Sequence, residues 1–433
     1  MTTEIIVMNK QGVALATDSA VTIGDNKVYN SANKLFTLSK VHPVSIMIYN
    51  AAEFMGIPWD TIIKSYRTTL GTKCFDYLEN YADDFIQFLI DNDTFINKYA
   101  ENRFVFTKFR ITLDRLTQQM LDKIFQELND FPNTDTLNSH LIQEINEYCS
   151  KIEYKENVSD IDQFYLCYRE QIEEYTKFKA NFEVNTELLE AAGLLFKSII
   201  NSNVVLQYSG VVITGYGDKD IFPSLIAYTI EGSIQKKLLY NLNQKVHISS
   251  SNKPHCTEAI IVPFAQREMA DLFVEGIDSN LKNRYNMAIS NLCNQIPMLT
   301  LQIIKDELNN DGVAIDEMKY HEILQQYSQS FYSQIMNQID SVIDDNYILP
   351  LTNSVAVLPK EELAVLAETL VNLTSVKRRM TMSTETVGGP TDVAVITKGD
   401  GFIWIKRKLY FDPKLNYNYF NSLNYRGGML DED

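Results

Sequence analysis

What the chain lacks narrows its function before any motif is read. Cations are in short supply: 39 Lys and Arg stand against 56 Asp and Glu, giving a formal net charge of −17. A protein that grips nucleic acid needs surplus positive charge to displace phosphate counterions, so that class is excluded. The same acidity favours solubility and repels strongly acidic substrates. Paired cysteines are also missing. The five (Cys74, Cys149, Cys167, Cys256, Cys293) are scattered and odd in number, with no C-x-x-C spacing. They read as reduced thiols, not as a disulfide framework or a zinc site. Cys256 beside His255 does not make a catalytic dyad, because such partners meet through the fold and not along the chain. His42, His140, His247 and His321 have no partner at metal-ligand spacing, and no cofactor is called for. No run reaches 18 uninterrupted apolar residues, and the start has no basic segment followed by an apolar core. The expected setting is therefore cytoplasmic, with no membrane partner. Tyr216-Gly217-Asp218 lacks the Lys-Ser/Thr of a phosphate cradle, and Asn309-Asn310-Asp311-Gly312 lacks the further spacing of a calcium loop. Both read as turns. No internal repeat is evident.

What is present alternates between strand and helix character. Glu4–Asn9 and Val13–Asp18 read as a hairpin across Lys10-Gln11-Gly12, and Asn33–Ser39 with Pro43–Tyr49 as a second pair of short strands. A helix interrupted by Pro58 is expected over Ala52–Arg67. Helical periodicity then dominates to residue 200, as in Leu113, Leu116, Met120, Leu121, Ile124, Phe125 and Leu128 on one face. Strand character returns over Asn203–Gly215, Ser224–Ile230, Lys237–Leu242 and Glu258–Val262, the last ending at Pro263. A second helical stretch follows from Ala265 to Asp345, with breaks near Asn309–Gly312 and at Pro350. The helix Lys360–Met380 leads through Gly388-Gly389-Pro390 to a hairpin of Asp392–Thr397 and Phe402–Arg407. The order strands, helices, strands, helices, strands fits two stacked sheets between helical layers. The expected divisions are core at 1–70, 201–264 and 359–408, helical insertions at 71–200 and 265–358, and a tail at 409–433.

The first hairpin gathers a reactive group. Residues whose numbers sum to about 21 face each other across it, which brings Thr2 and Thr3 near Asp18 at its open end. The next strand begins at Lys34 and can return to the same end. A threonine hydroxyl is a poor nucleophile without an adjacent base. An N-terminal threonine carries one in its own α-amine, whose reference pKa of about 7.7–8.0 lies close to working pH. A nearby Lys34 ammonium lowers the pKa of the hydroxyl and disfavours protonation of the amine. Asp18 keeps Lys34 charged and oriented. The scheme needs Met1 to be removed, which the small Thr2 behind it favours.

These residues resemble a family. Met-Thr-Thr before a strand, Ala16-Thr17-Asp18-Ser19, and Lys34 are similar to the start of proteasome β subunits and of the bacterial HslV peptidase. In that family the Asp and Lys stand 16 and 32 residues beyond the catalytic threonine, the intervals of Thr2, Asp18 and Lys34 here. The resemblance implies an α+β fold, a four-layer αββα N-terminal nucleophile (Ntn) hydrolase sandwich, here with large helical insertions. It also implies threonine peptidase activity through an acyl-enzyme. Val21 and Thr22 fall where the family pairs with the substrate strand, and Asn50 and Ala51 where it forms the oxyanion hole. The family has Gly at the position of Asn50. Its late Asp-x-x-Ser-Gly-Gly support aligns with Thr384-Glu385-Thr386-Val387-Gly388-Gly389, so the glycines remain while Thr384 and Val387 replace the Asp and Ser.

The expected partners are a peptide or unfolded-protein substrate and further copies of the chain in a homo-oligomer, with service by an ATP-driven unfoldase left open. Two other readings stand beside the peptidase: a catalytically inactive scaffold or sensor on the same fold, and an amidohydrolase of small amides.

Overall fold

The computed structural model describes residues 3–23, 27–127, 132–250, 257–310, 316–381, 388–409 and 411–416. Thr2, His255, Cys256 and Thr384–Val387 lie outside the described residues.

Strands β1 (Thr3–Asn9) and β2 (Gly12–Thr17) open the chain, followed by the short β3 (Val21–Ile23) and β4 (Lys27–Tyr29). Next come β5 (Leu35–Thr37), β6 (Val44–Asn50), β7 (Glu53–Phe54) and β8 (Ile57–Pro58). A run of helices follows: α1 (Trp59–Leu70), α2 (Leu78–Asp91), α3 (Lys98–Glu127) and α4 (Thr134–Lys151), then α5 (Ile161–Leu166), α6 (Arg169–Ala180) and α7 (Thr186–Ile200). Strands return as β9 (Ser209–Gly215), β10 (Ser224–Ile234), β11 (Lys237–His247) and β12 (Ala259–Ala265). Helices α8 (Glu268–Glu275), α9 (Ser279–Asn310), α10 (Glu317–Ile343), α11 (Leu349–Ala356) and α12 (Lys360–Met380) precede the last hairpin, β13 (Asp392–Thr397) with β14 (Gly401–Lys406). The fold is therefore mixed helix and antiparallel sheet. None of the described helices is long and apolar enough to cross a membrane.

The chain divides into two compact units, one of Met1–Leu35, Ile221–Pro223 and His247–Asp433, the other of Phe36–Asp220 and Ser224–Val246. In the first, a five-stranded sheet runs in the order β12-β1-β2-β13-β14. Strands β1 and β2 are buried along their whole length. Ile5, Val7, Ala14, Ala16, Val393 and Val395 face one side and pack with Leu363, Ala364, Ala367, Leu370 and Val371 of α12. The small Ala14 and Ala16 let the helix approach closely. The helix itself follows its sequence, with Glu361 and Glu362 in the first turn and Lys377, Arg378 and Arg379 in the last, matching its dipole. Gly12 is required where it stands, since a Cβ there would meet the Ile396 carbonyl oxygen at 2.6 Å. Asn9 anchors the hairpin by donating to the carbonyls of Val355 and Leu358 at 2.9 and 2.8 Å.

In the second unit the sheet order is β11-β10-β9-β6-β5. Its core takes Trp59, Ile62, Ile63 and Tyr66 from α1 and Tyr81 and Phe85 from α2. A separate core joins α3 to α7 through Val105, Phe109, Leu113, Leu141, Phe164, Ile172 and Phe196. In the α3 stripe Leu113, Leu116, Met120 and Ile124 are buried, while Phe125 is 69% exposed.

Several expectations of the sequence need correction: β10 and β11 run on to Ile234 and His247, and Pro350 lies within α11 and not at a break. The helix over Ala52–Arg67 begins only at Trp59, with Pro58 as its cap. Met55 and Gly56 take left-handed backbone, with φ of 52° and 84°, and turn β7 into β8 instead. Strand β12 does not stop at Pro263 but carries it opposite Ile5. β12 is an edge strand of its sheet, where a residue without an N–H is tolerated. The strand expected over Asn203–Gly215 starts only at Ser209.

Candidate active site

The first hairpin delivers its open end as its numbering implies: Thr17 lies opposite Glu4, and the Asp18 N–H donates to the Thr3 carbonyl at 3.2 Å. Asp18 is fully buried. Its Oδ1 accepts from the Thr3 N–H at 3.1 Å and from the Lys34 ammonium at 2.6 Å. Its Oδ2 accepts from the N–H groups of Ala20 at 3.2 Å and Gly388 at 3.1 Å. A carboxylate with four donors has every lone-pair direction engaged, which fixes the Lys34 ammonium in turn. Lys34, 5% exposed, enters from the segment just before β5. Burial lowers its pKa from the ordinary lysine value; Asp18 opposes that shift, Glu4 adds to the opposition, and Lys408 works with the burial.

The late glycines clamp this carboxylate. Gly388 donates to Asp18 and accepts from the Ser19 N–H at 3.2 Å. Ser19 Oγ donates to the Pro390 carbonyl. Gly389 takes φ of 76°, and a Cβ there would stand 2.7 Å from Cβ of Asn30. Glycine is thus needed at 389 on two counts. Past the clamp, Asp392 receives both the N–H and the ammonium of Lys408, a partly exposed pair beside Thr17 on the neighbouring strand.

Glu4 was missed by sequence reasoning. It is fully buried on β1, lies opposite Thr17 and Phe264, and among the described residues has no hydrogen-bond partner at either carboxyl oxygen. Burial raises its pKa well above the ordinary carboxyl range; Lys34 opposes this and Asp18 adds to it. A signal existed in the sequence: a charge directly ahead of Ile5-Ile6-Val7-Met8, on a strand that otherwise buries apolar side chains.

The structure brings Asp18 and Lys34 together in the first unit. Thr2, directly before β1, lies outside the described residues. Val21 and Thr22 lie on β3, which among the described residues pairs only with β4. Asn50 and Ala51 belong to the second unit. Asn50 adopts φ of 70°, a left-handed backbone that Asn tolerates better than most residues. Its side-chain amide donates to the Tyr208 carbonyl at 2.9 Å, and the Ala51 N–H donates to the same oxygen at 3.2 Å.

No family model and no curated protein matches the chain. Among solved structures it is similar to Anbu from Hyphomicrobium sp. strain MC1, with 7% identity and a TM-score of 0.26 over 98% of this chain and 97% of that one. It is similar at the same identity and TM-score to Anbu (ancestral beta-subunit) from Yersinia bercovieri, over 98% and 96% of the two chains. These findings correct the resemblance drawn from the opening residues. Neither a proteasome β-subunit model nor an HslV model matches the chain.

Proposed function

We propose that the chain is an N-terminal threonine hydrolase of peptide bonds, with Thr2 as its nucleophile once whatever precedes it has been removed. The observation that carries this reading is the bonding of Asp18, whose Oδ1 holds both the N–H of Thr3 and the buried ammonium of Lys34. An oriented cation is thereby fixed against the backbone of the residue that follows Thr2. In the proposed reaction the Thr2 hydroxyl attacks a peptide carbonyl while its α-amine takes the proton. The Lys34 charge favours the alkoxide character of that oxygen and disfavours a protonated amine, and Asp18 keeps the ammonium in place. The leaving amine recovers the proton, and water then hydrolyses the ester to regenerate Thr2. Among the described residues β3 pairs only with β4, and its other edge at Val21 and Thr22 offers main-chain hydrogen bonds to an extended substrate. Asn50 and Ala51 are left out of this proposal, because the Ala51 amide is already engaged by Tyr208.

The test has two parts. Intact mass of the purified protein is expected to show Thr2 as the first residue. A covalent threonine-directed probe is expected to label that residue in the parent chain and to fail on Thr2→Ala. Labelling that persists in Thr2→Ala assigns the nucleophile elsewhere.

A further inference from the structure

One carboxyl at this end of the sheet is left over. Asp18 is matched by Lys34, and Asp392 by Lys408, but among the described residues Glu4 has no hydrogen-bond partner at either oxygen. A buried carboxylate in that position is strongly disfavoured, so it stays protonated or receives a cation. The groups around it are known from each neighbouring element. β2 and the residues after it contribute Thr17 and Asp18, and β12 contributes Phe264. The segment before β5 contributes Lys34, whose ionisation is coupled to Glu4, and Lys408 acts in turn on Lys34. Both lysines already serve other carboxylates.

The chain can supply a further cation itself. Glu4 follows Thr2 by two residues, and two residues of chain span at most about 7 Å, which a glutamate side chain can bridge. A methionine-removing aminopeptidase adds water across the Met1–Thr2 peptide bond, releases methionine, and leaves an α-ammonium on Thr2. We propose that Glu4 is the counter-charge of this new terminus, a role that rests on the reading of Thr2 as the processed nucleophile. When the Thr2 hydroxyl passes its proton to the neutral amine, Glu4 stabilises the ammonium that forms, as the triad carboxylate stabilises an imidazolium. Glu4 forms no bond to substrate and is a positioning residue. Removal of Met1 then completes the charge balance around Glu4.

The experiment compares the parent with Glu4→Gln, after mass spectrometry has fixed the first residue of each. The α-amine is titrated through the pH dependence of its acetylation, read on the N-terminal peptide. An ionised neighbour favours the ammonium, so Glu4→Gln is expected to lower the amine's pKa and speed labelling at pH 7 by about ten-fold. The acid limb of the activity profile is expected to move the same way. An unchanged titration with Thr2 at the terminus overturns the counter-charge and leaves the nucleophile reading intact. Retained Met1 in both proteins overturns the nucleophile reading and the counter-charge together. A second pair of proteins covers failure of Glu4→Gln to fold. In a chain with an uncleaved N-terminal extension no α-ammonium reaches Glu4, so Glu4→Gln is expected to raise Tm there and to lower it in the processed chain. A shift of the same sign in both overturns the proposal.

Discussion

Each unit of the molecule buries a lysine against a carboxylate, and the two pairs are built differently. In the second unit Lys108 of α3 meets Glu231 of β10 at 3.0 Å, with side chains 3% and 8% exposed. In the first unit Lys34 meets Asp18 at 2.6 Å, with side chains 6% and 0% exposed. Glu231 accepts from Lys108, and burial still holds its pKa above the ordinary carboxyl range. Asp18 accepts from three backbone N–H groups as well as its lysine, drawn from β1, its own segment and Gly388. A lone buried pair roughly balances its desolvation and joins a helix to a sheet. A carboxylate held from several directions fixes where its lysine points. That is a device for orientation, placed next to the start of β1.

The largest effect expected from breaking the oriented pair is that of Asp18→Asn. The change leaves Lys34 buried without a counter-charge and turns an amide toward donors that need an acceptor. A loss of about 3–5 kcal/mol is expected in urea unfolding. A loss below about 1 kcal/mol would mean that the four bonds to Asp18 contribute little to folding. The clamp is sharpened by its two glycines, which differ sharply in surroundings. Gly389→Ala must hold a left-handed backbone and push against Asn30, so a cost of about 1–3 kcal/mol is expected. Gly388→Ala meets nothing within 4 Å and is expected to be nearly silent in the same urea unfolding. Equal losses at both positions would show that the clamp acts through something other than the geometry at 389.

Much of this first unit was legible in the sequence because its signals are local. The apolar runs Ile5–Met8 and Val13–Ala16 and the two-residue link at Lys10-Gln11 set the register, and the register brings Asp18 back to Thr3. The helix Lys360–Met380 and the hairpin at Asp392 were equally readable, with acidic first and basic last turns for the one and a Gly-containing turn for the other. What could not be read depends on residues far apart in the chain. Gly388 reaches Asp18 across 370 positions, and nothing in either local pattern announces the bond. Lys408 finds Asp392 only because β14 folds back along β13. The Pro58 error was local too, but there two rules competed: apolar spacing favoured a helix, while Met55-Gly56 and the proline favoured a turn, and the turn won.

The smallest expected effect tests the other half of the comparison. Replacing Lys108 and Glu231 together, as Lys108→Met with Glu231→Leu, removes both charges at once and fills their space with apolar atoms of similar volume. Lys108 acts on Glu231 more strongly than the second cation, Lys155, does, and the neighbours Phe104 and Ile111 are apolar. Stability is therefore expected to change by no more than about 1 kcal/mol, with either sign, and probe labelling of Thr2 to stay at the parent level. Urea unfolding and the labelling assay read the two outcomes separately. A loss of several kcal/mol would show that Lys108 and Glu231 also satisfy groups beyond each other. The contrast between a passive pair and an oriented one would then fail, and the bonding pattern of Asp18 would no longer mark a site of chemistry apart from ordinary structural burial.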